Sequence, residues 1–277
     1  MEPDRALMIG PDNGPRALVL HGLTGSPTEL WPLACALARD GWRAELPLWP
    51  GHGGAPEDLR RIGAADLLRF GGDLLLSRQP VALVGLSMGA LAALALASDR
   101  PELRALVLLA PAIRLRGGSR VFQALAGLPR LPVWTRRLVP KGGSGMGEPE
   151  HRGPTATSPL ARAALDAPPP PIDWPRADRV PLGWAHELRT MRRQARRAAR
   201  AITTPTLVVQ GLADKTAHPA SAIAAARWLG GRCTLDFVPG ASHQLGLGPQ
   251  RGVVAERVAA FLREHASGDH ENRLLDR

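Results

Sequence analysis

The sequence predicts an α/β fold: a mostly parallel twisted sheet with helices on both faces and a small inserted cap. Three observations carry this. Short β-branched and leucine runs alternate with longer stretches of helical period. The run Val81-Ala82-Leu83-Val84 passes through Gly85-Leu86-Ser87-Met88-Gly89 into an Ala/Leu-rich stretch over 90–97, which reads as strand, tight turn and helix in succession. One long segment, 111–202, breaks the rhythm, and the 277 residues with 44% hydrophobic content suffice for one large core plus such an insertion.

The chain opens with a short apolar piece over 7–9, the turn Pro11-Asp12-Asn13-Gly14 and the strand Ala17-Leu18-Val19-Leu20, an order that predicts a hairpin. A helix follows with Leu30, Leu33, Ala34, Leu37 and Ala38 on one face; it stops at Gly41, and a strand returns over 43–46. The helical pattern recurs over 64–77 through Leu67, Leu68, Gly71, Leu74 and Leu75, ahead of the strand and helix around Ser87 and the strand Leu106-Val107-Leu108-Leu109. Late in the chain Leu207-Val208-Val209 and Leu235-Asp236-Phe237-Val238 flank a helix over 220–229. Val254, Val258, Phe261 and Leu262 mark a closing amphipathic helix.

The insertion contains glycine pairs, the run Pro168-Pro169-Pro170-Pro171 and Trp134, Trp174 and Trp184. Its apolar positions Phe122, Leu125, Leu128, Leu131, Val133, Leu138 and Val139 are expected to form a lid over the strand ends. The division is therefore a core of 1–111 and 202–266, a cap of 112–201 and a polar, frayed tail of 267–277.

No stretch approaches the roughly 18 to 20 apolar residues of a membrane span. Met1-Glu2-Pro3-Asp4-Arg5 starts no hydrophobic signal region, so the expectation is a soluble, cytoplasmic protein without stable membrane insertion. Cys35 and Cys233, far apart in apolar segments, read as buried thiols and suggest no metal site. The net charge of +10 is almost all arginine, densest at Arg189, Arg192, Arg193, Arg196, Arg197 and Arg200. On a helix these are expected to spread around most of the circumference. With no aromatic or polar base readers nearby they argue against nucleic acid, and leave weak attraction to anionic surfaces.

The chemistry centres on Ser87. A serine on a strand-to-helix turn flanked by glycines is held exposed above the sheet, and the backbone N–H of Met88 faces the place where an oxyanion would develop. His21-Gly22-Leu23-Thr24-Gly25-Ser26-Pro27, at the end of a strand, has the glycines needed to aim the Leu23 N–H at the same place. His21 itself reads as a brace for that loop. Asp214 ends Gln210-Gly211-Leu212-Ala213-Asp214 after a strand, and His243 ends Gly240-Ala241-Ser242-His243 after the next. The order serine, aspartate, histidine suits a catalytic relay, although an aspartate there equally suits a cap for a helix from Pro219 onward. His52, in Leu48-Trp49-Pro50-Gly51-His52-Gly53, and His218 are the rival histidines. The first belongs to a turn expected near the rim, and the second lies too close to Asp214 in sequence.

Taken together, these segments resemble the α/β-hydrolase superfamily, in particular its bacterial carboxylesterase and monoacylglycerol lipase branch. The similarity lies in His21 to Pro27, Pro50-Gly51-His52-Gly53, Gly85-Leu86-Ser87-Met88-Gly89, Thr204-Pro205-Thr206-Leu207-Val208-Val209-Gln210-Gly211 with Asp214, and Ser242-His243. The resemblance implies a Ser87/His243/Asp214 triad, an oxyanion hole of the Leu23 and Met88 N–H groups, no cofactor, and a cap covering an acyl pocket. It implies hydrolysis of small-molecule carboxylic esters, either short or medium acyl esters or monoacylglycerols, through an acyl-enzyme. A thioesterase or acyltransferase would use the same triad; a non-catalytic binding member would lack the serine or histidine. After Asp214 the chain departs from the family pattern, being more polar at Lys215-Thr216, and the cap resembles the family least.

Overall fold

The computed structural model describes residues 5–98, 100–116, 138–140 and 158–266. Phe122, Leu125, Leu128, Leu131, Val133 and Trp134 of the expected lid, and the tail 267–277, lie outside the described residues. The strands are β1 (Ala6–Ile9), β2 (Arg16–Leu20), β3 (Arg43–Pro47), β4 (Ala82–Leu86), β5 (Ala105–Leu109), β6 (Leu138–Pro140), β7 (Arg179–Pro181), β8 (Thr206–Gly211) and β9 (Cys233–Val238). The helices are α1 (Trp31–Arg39), α2 (Ala64–Arg78), α3 (Met88–Leu96), α4 (Pro159–Leu165), α5 (Trp184–Ala198), α6 (Ala220–Trp228) and α7 (Arg251–Ala266).

Seven strands form one sheet in the order β1-β3-β2-β4-β5-β8-β9, with β6 and β7 paired separately. All neighbours are parallel except β1 with β3. The registers Leu20↔Gly85, Leu86↔Leu109, Leu109↔Val209 and Gly211↔Val238 bring the carboxyl ends of β2, β4, β5, β8 and β9 to one edge. Ligands of open α/β sheets bind outside such an edge. Alternate strand residues feed two cores. Val19, Val84, Val107 and Val209 meet α1, α4 and α7 on one face; Leu18, Leu83, Leu106 and Val208 meet α2, α3, α5 and α6 on the other.

The hairpin expected at the start does not form. The turn is present, with the Gly14 N–H donating to Pro11 O at 3.1 Å. However, β1 pairs antiparallel with β3 through Leu7↔Leu46, and β3 occupies the place beside β2 through Ala17↔Ala44. Burial decides this. Ala17 to Leu20 are buried on both faces and need a covered neighbour on each side, whereas β1, with Met8 exposed, suits the sheet edge.

The arginines of α5 also depart from expectation. Trp184, Ala185, Leu188, Met191 and Ala195 turn inward. At about 100° per residue the five arginines of this helix, Arg189, Arg192, Arg193, Arg196 and Arg197, occupy an arc of only about 140°, turned away from Trp184, Leu188, Met191 and Ala195, and Arg200 follows in the next turn. Arg192 donates to the Ile113 carbonyl at 3.1 Å; burial and the adjacent Arg189, Arg193 and Arg196 lower its pKa. Cys35 is buried as expected, but Cys233, on the edge strand β9, is only half-buried; both are free thiols, pushed up to about 11 by burial.

Large side chains also fix the approach to the strand ends. The indole N–H groups of Trp31, Trp49 and Trp184 donate to the carbonyls of Pro168, His21 and Leu59 at 2.8, 3.0 and 3.0 Å, so each ring is buried with its polar edge satisfied. Among the described residues, no helix is long and apolar enough to cross a membrane.

Candidate active site

Ser87 sits between β4 and α3 at φ 56° and ψ −108°, a region that side chains avoid. Its neighbours leave no alternative. A Cβ on Gly85 would run into the Gly89 carbonyl, and one on Gly89 into the Leu20 carbonyl. The Ser87 N–H donates to Leu109 O at 2.8 Å, and its carbonyl accepts from Ala112 N at 3.2 Å and Leu91 N at 3.3 Å. These bonds hold the strained turn from the β5 side and from the helix.

The structure brings Ser87, His243 and Asp214 together. His243 Nε2 lies 3.0 Å from Ser87 Oγ, and His243 Nδ1 lies 2.8 Å from Asp214 Oδ2. Asp214 is fully buried. Its Oδ1 accepts from the N–H groups of Thr216 and Ala217, both at 2.7 Å, and its Oδ2 also accepts from Gln210 Nε2 at 2.9 Å. Four donors, counting His243, satisfy one carboxylate. The aspartate does not cap α6: the Ala220 N–H there goes to His218 Nδ1 at 3.0 Å.

The two loops that carry Asp214 and His243 are tied to each other. Leu212 N–H donates to Val238 O at 3.1 Å, and Ala213 N–H to Ala241 O at 3.0 Å. Gly211 is needed at this junction because a Cβ would meet the Ser242 carbonyl at 2.7 Å and the Ala241 carbonyl closer still.

The loop after β2 borders the serine. A Cβ on Gly22 would lie 3.5 Å from Ser87 Cβ. The Trp49 N–H donates to His21 Nε2 at 3.1 Å, which leaves the proton on Nδ1, and Nδ1–H donates to Gly22 O at 2.9 Å. His21 is thus engaged on both nitrogens, and burial, with His52 beside it, holds its pKa well below the usual histidine value. His52 Nδ1 donates to Pro50 O at 3.1 Å, and burial lowers its pKa to about 4. Neither histidine adjoins Ser87 Oγ in the hydrogen-bond network, and His218 is exposed.

Met88 follows Ser87 directly, and Leu23 lies in the loop that borders it. Met88 opens α3, where a first-turn N–H has no intrahelical acceptor and the positive end of the helix dipole adds to it. Leu23 follows Gly22 directly. A residue that the sequence reading passed over, Glu29, is only 4% exposed and accepts the Gly22 N–H on Oε1 at 2.5 Å. A glutamate in the first turn after a proline reads as an ordinary exposed helix start.

The buried histidines predict an acid limit to stability. Both are depressed in the folded state, so stability is full above the unfolded pKa of about 6.5 and falls as the pH drops toward about 4. Each proton taken up only by the unfolded chain costs about 1.4 kcal/mol per pH unit. Unfolding measured from about pH 8 to pH 5 should show this decline, and His52→Asn should flatten it by about one proton. An unchanged slope in the variant would contradict the assignment.

A family model described as serine aminopeptidase, S33, matches residues 14–250. The chain belongs to this family of α/β-hydrolases. Over 101 residues the S33 hydrolase is 38% identical to the thermostable monoacylglycerol lipase of Bacillus sp. (strain H-257), and the match spans 35% of this chain and 40% of that relative's length. A solved structure from the metagenome-derived lipolytic enzymes LipS and LipT superposes with a TM-score of 0.71 at 23% identity, over 96% of this chain and 99% of that one. The monoacylglycerol lipase of Paleococcus ferrophilus gives a TM-score of 0.70 at 20% identity, over 96% and 100%. At those identities the two structures speak for the shared fold.

Proposed function

We propose that this S33 hydrolase cleaves carboxylic esters, of short or medium acyl chains or monoacylglycerols, through an acyl-enzyme on Ser87. The observation that carries the reading is the unbroken hydrogen-bond chain Ser87 Oγ, His243, Asp214 at 3.0 and 2.8 Å. The partial identity to a monoacylglycerol lipase supports the choice of ester.

In this scheme His243 Nε2 takes the Ser87 proton as Oγ attacks the ester carbonyl, and Asp214 fixes the tautomer and stabilises the imidazolium. The N–H groups of Leu23 and Met88 bind the tetrahedral oxyanion. His243 then protonates the leaving alcohol. Water attacks the acyl-enzyme by the same route in reverse order, releasing the acid and restoring the Ser87 proton. The chemistry uses protein groups and water alone. The 112–201 segment is proposed to carry the cap over the acyl chain; of its described residues, α5 packs on α3 and α4 on α1 and α7.

Nitrophenyl esters from acetate to palmitate test the reading. Hydrolysis with an optimum at short or medium chains is the expected result. An optimum at the long-chain end would make the protein a lipase of long-chain esters, and no hydrolysis at any length would overturn the reading in favour of thioesters or amides.

A further inference from the structure

We infer that Glu29 is a positioning residue of the oxyanion hole, holding the peptide that carries the Leu23 N–H in its working orientation. The inference rests on the ester hydrolysis proposed above and extends it to a residue outside the triad.

Gly22 precedes Leu23 directly. Its carbonyl and the Leu23 N–H belong to one planar trans peptide, so whatever fixes the first aims the second in the opposite direction. The Gly22 carbonyl accepts from His21 Nδ1 at 2.9 Å and from the Gly25 N–H at 3.2 Å. That leaves the preceding peptide. Glycine has the widest choice of φ of any residue, so a loose preceding peptide would let the Gly22 carbonyl turn off these two donors and carry the Leu23 N–H with it. The Gly22 N–H is held by Glu29 Oε1 at 2.5 Å, and both peptide planes around Gly22 are thereby fixed.

Its burial and two contacts show that Glu29 is built into this place. Glu29 is 4% exposed. A Cβ on Gly25 would lie 2.5 Å from each of its carboxylate oxygens, so the loop closes directly over it. The Glu29 carbonyl abuts Gly246, three residues beyond His243, at a spot where a Cβ could not be placed. Glu29 thus braces the oxyanion loop with its side chain while its main chain lies against the histidine loop. The loop itself needs holding: Thr24, immediately after Leu23, sits at φ 63°, a conformation that a side-chain-bearing residue leaves when unconstrained.

The chemistry predicts a particular kinetic signature. An oxyanion donor acts in the transition state, so its misorientation lowers kcat and leaves KM nearly unchanged. Removing one donor outright costs about a hundredfold or more, and displacing one should cost about ten- to hundredfold. Glu29→Gln retains an acceptor for the Gly22 N–H and should recover most of the loss. Gly25→Ala pushes a methyl into the carboxylate and should lower kcat by itself. In a Glu29→Ala background that collision is gone, so the double variant should match Glu29→Ala alone, a non-additivity that independent structural effects would not give.

The experiment measures kcat, KM and the Ki of an alkylboronic acid, whose tetrahedral serine adduct occupies the oxyanion hole. Wild type, Glu29→Ala, Glu29→Gln, Gly25→Ala and the Ala/Ala double variant are compared, with folding checked by thermal unfolding. The expected result is a fall in kcat for Glu29→Ala with KM within about twofold, and a boronate Ki weakened in proportion. A folded Glu29→Ala with wild-type kcat and boronate affinity overturns the inference and leaves the esterase reading standing. If Glu29→Ala does not fold, Gly25→Ala decides: parallel loss of kcat and boronate affinity supports the role of Glu29, and wild-type values for both overturn it. A wild type that hydrolyses no ester removes the functional reading first, and this inference with it.

Discussion

Ser87→Ala is expected to reduce ester hydrolysis by about 10^4- to 10^6-fold in kcat while the protein stays folded. Among the described residues the side chain meets only His243 in the hydrogen-bond network, whereas the turn is held by main-chain bonds to Leu109, Ala112 and Leu91 that the substitution leaves alone. A residual rate above that of water is expected because substrate binding and the backbone donors persist. Thermal unfolding alongside the kinetics separates loss of chemistry from loss of fold. Turnover near the wild-type value in a folded Ser87→Ala protein would end the acyl-enzyme scheme.

Asp214→Asn should be nearly as severe, at about 10^4-fold in kcat, for a reason visible in the donors around the carboxylate. Oδ1 faces the N–H groups of Thr216 and Ala217, and Oδ2 faces Gln210 Nε2 and His243 Nδ1. An asparagine has one oxygen to offer four donors. If its oxygen serves the two backbone N–H groups, its NH2 must face His243, which can accept it only by carrying its own proton on Nε2. That is the tautomer that cannot take a proton from Ser87. The opposite flip sets the NH2 against two buried backbone donors, which is costlier. The expected result is therefore a loss in kcat with the fold retained, read from the kinetics and from the His243 tautomer by nitrogen-resolved NMR. A variant with wild-type kcat would show that Asp214 does not orient His243.

Much of the candidate site is legible in the sequence because its parts are local. The glycines flanking Ser87 are required by contacts within one strand-turn-helix unit, and Asp214 and His243 each follow a hydrophobic run ending in a turn signal. What the sequence hid is pairwise and distant. Nothing in residues 6–20 indicates that β3 will come between β1 and β2, since that order follows from how completely β2 is buried. The role of Glu29 depends on a loop seven residues upstream folding back over its carboxylate, and a charged residue in a helix's first turn carries no sign of that. The inward face of α5 is written in the spacing of Trp184, Leu188, Met191 and Ala195, whereas a count of its arginines says nothing of the face they share.

In the proposed scheme Ser87 is a nucleophile activated by His243. The most direct test is reaction with an alkyl fluorophosphonate followed by mass measurement of the intact chain and its peptides. The expected result is a single adduct on Ser87, formed quickly in the wild type and lost or strongly slowed in His243→Ala. An adduct on another residue, or none in a folded wild-type protein, would contradict it.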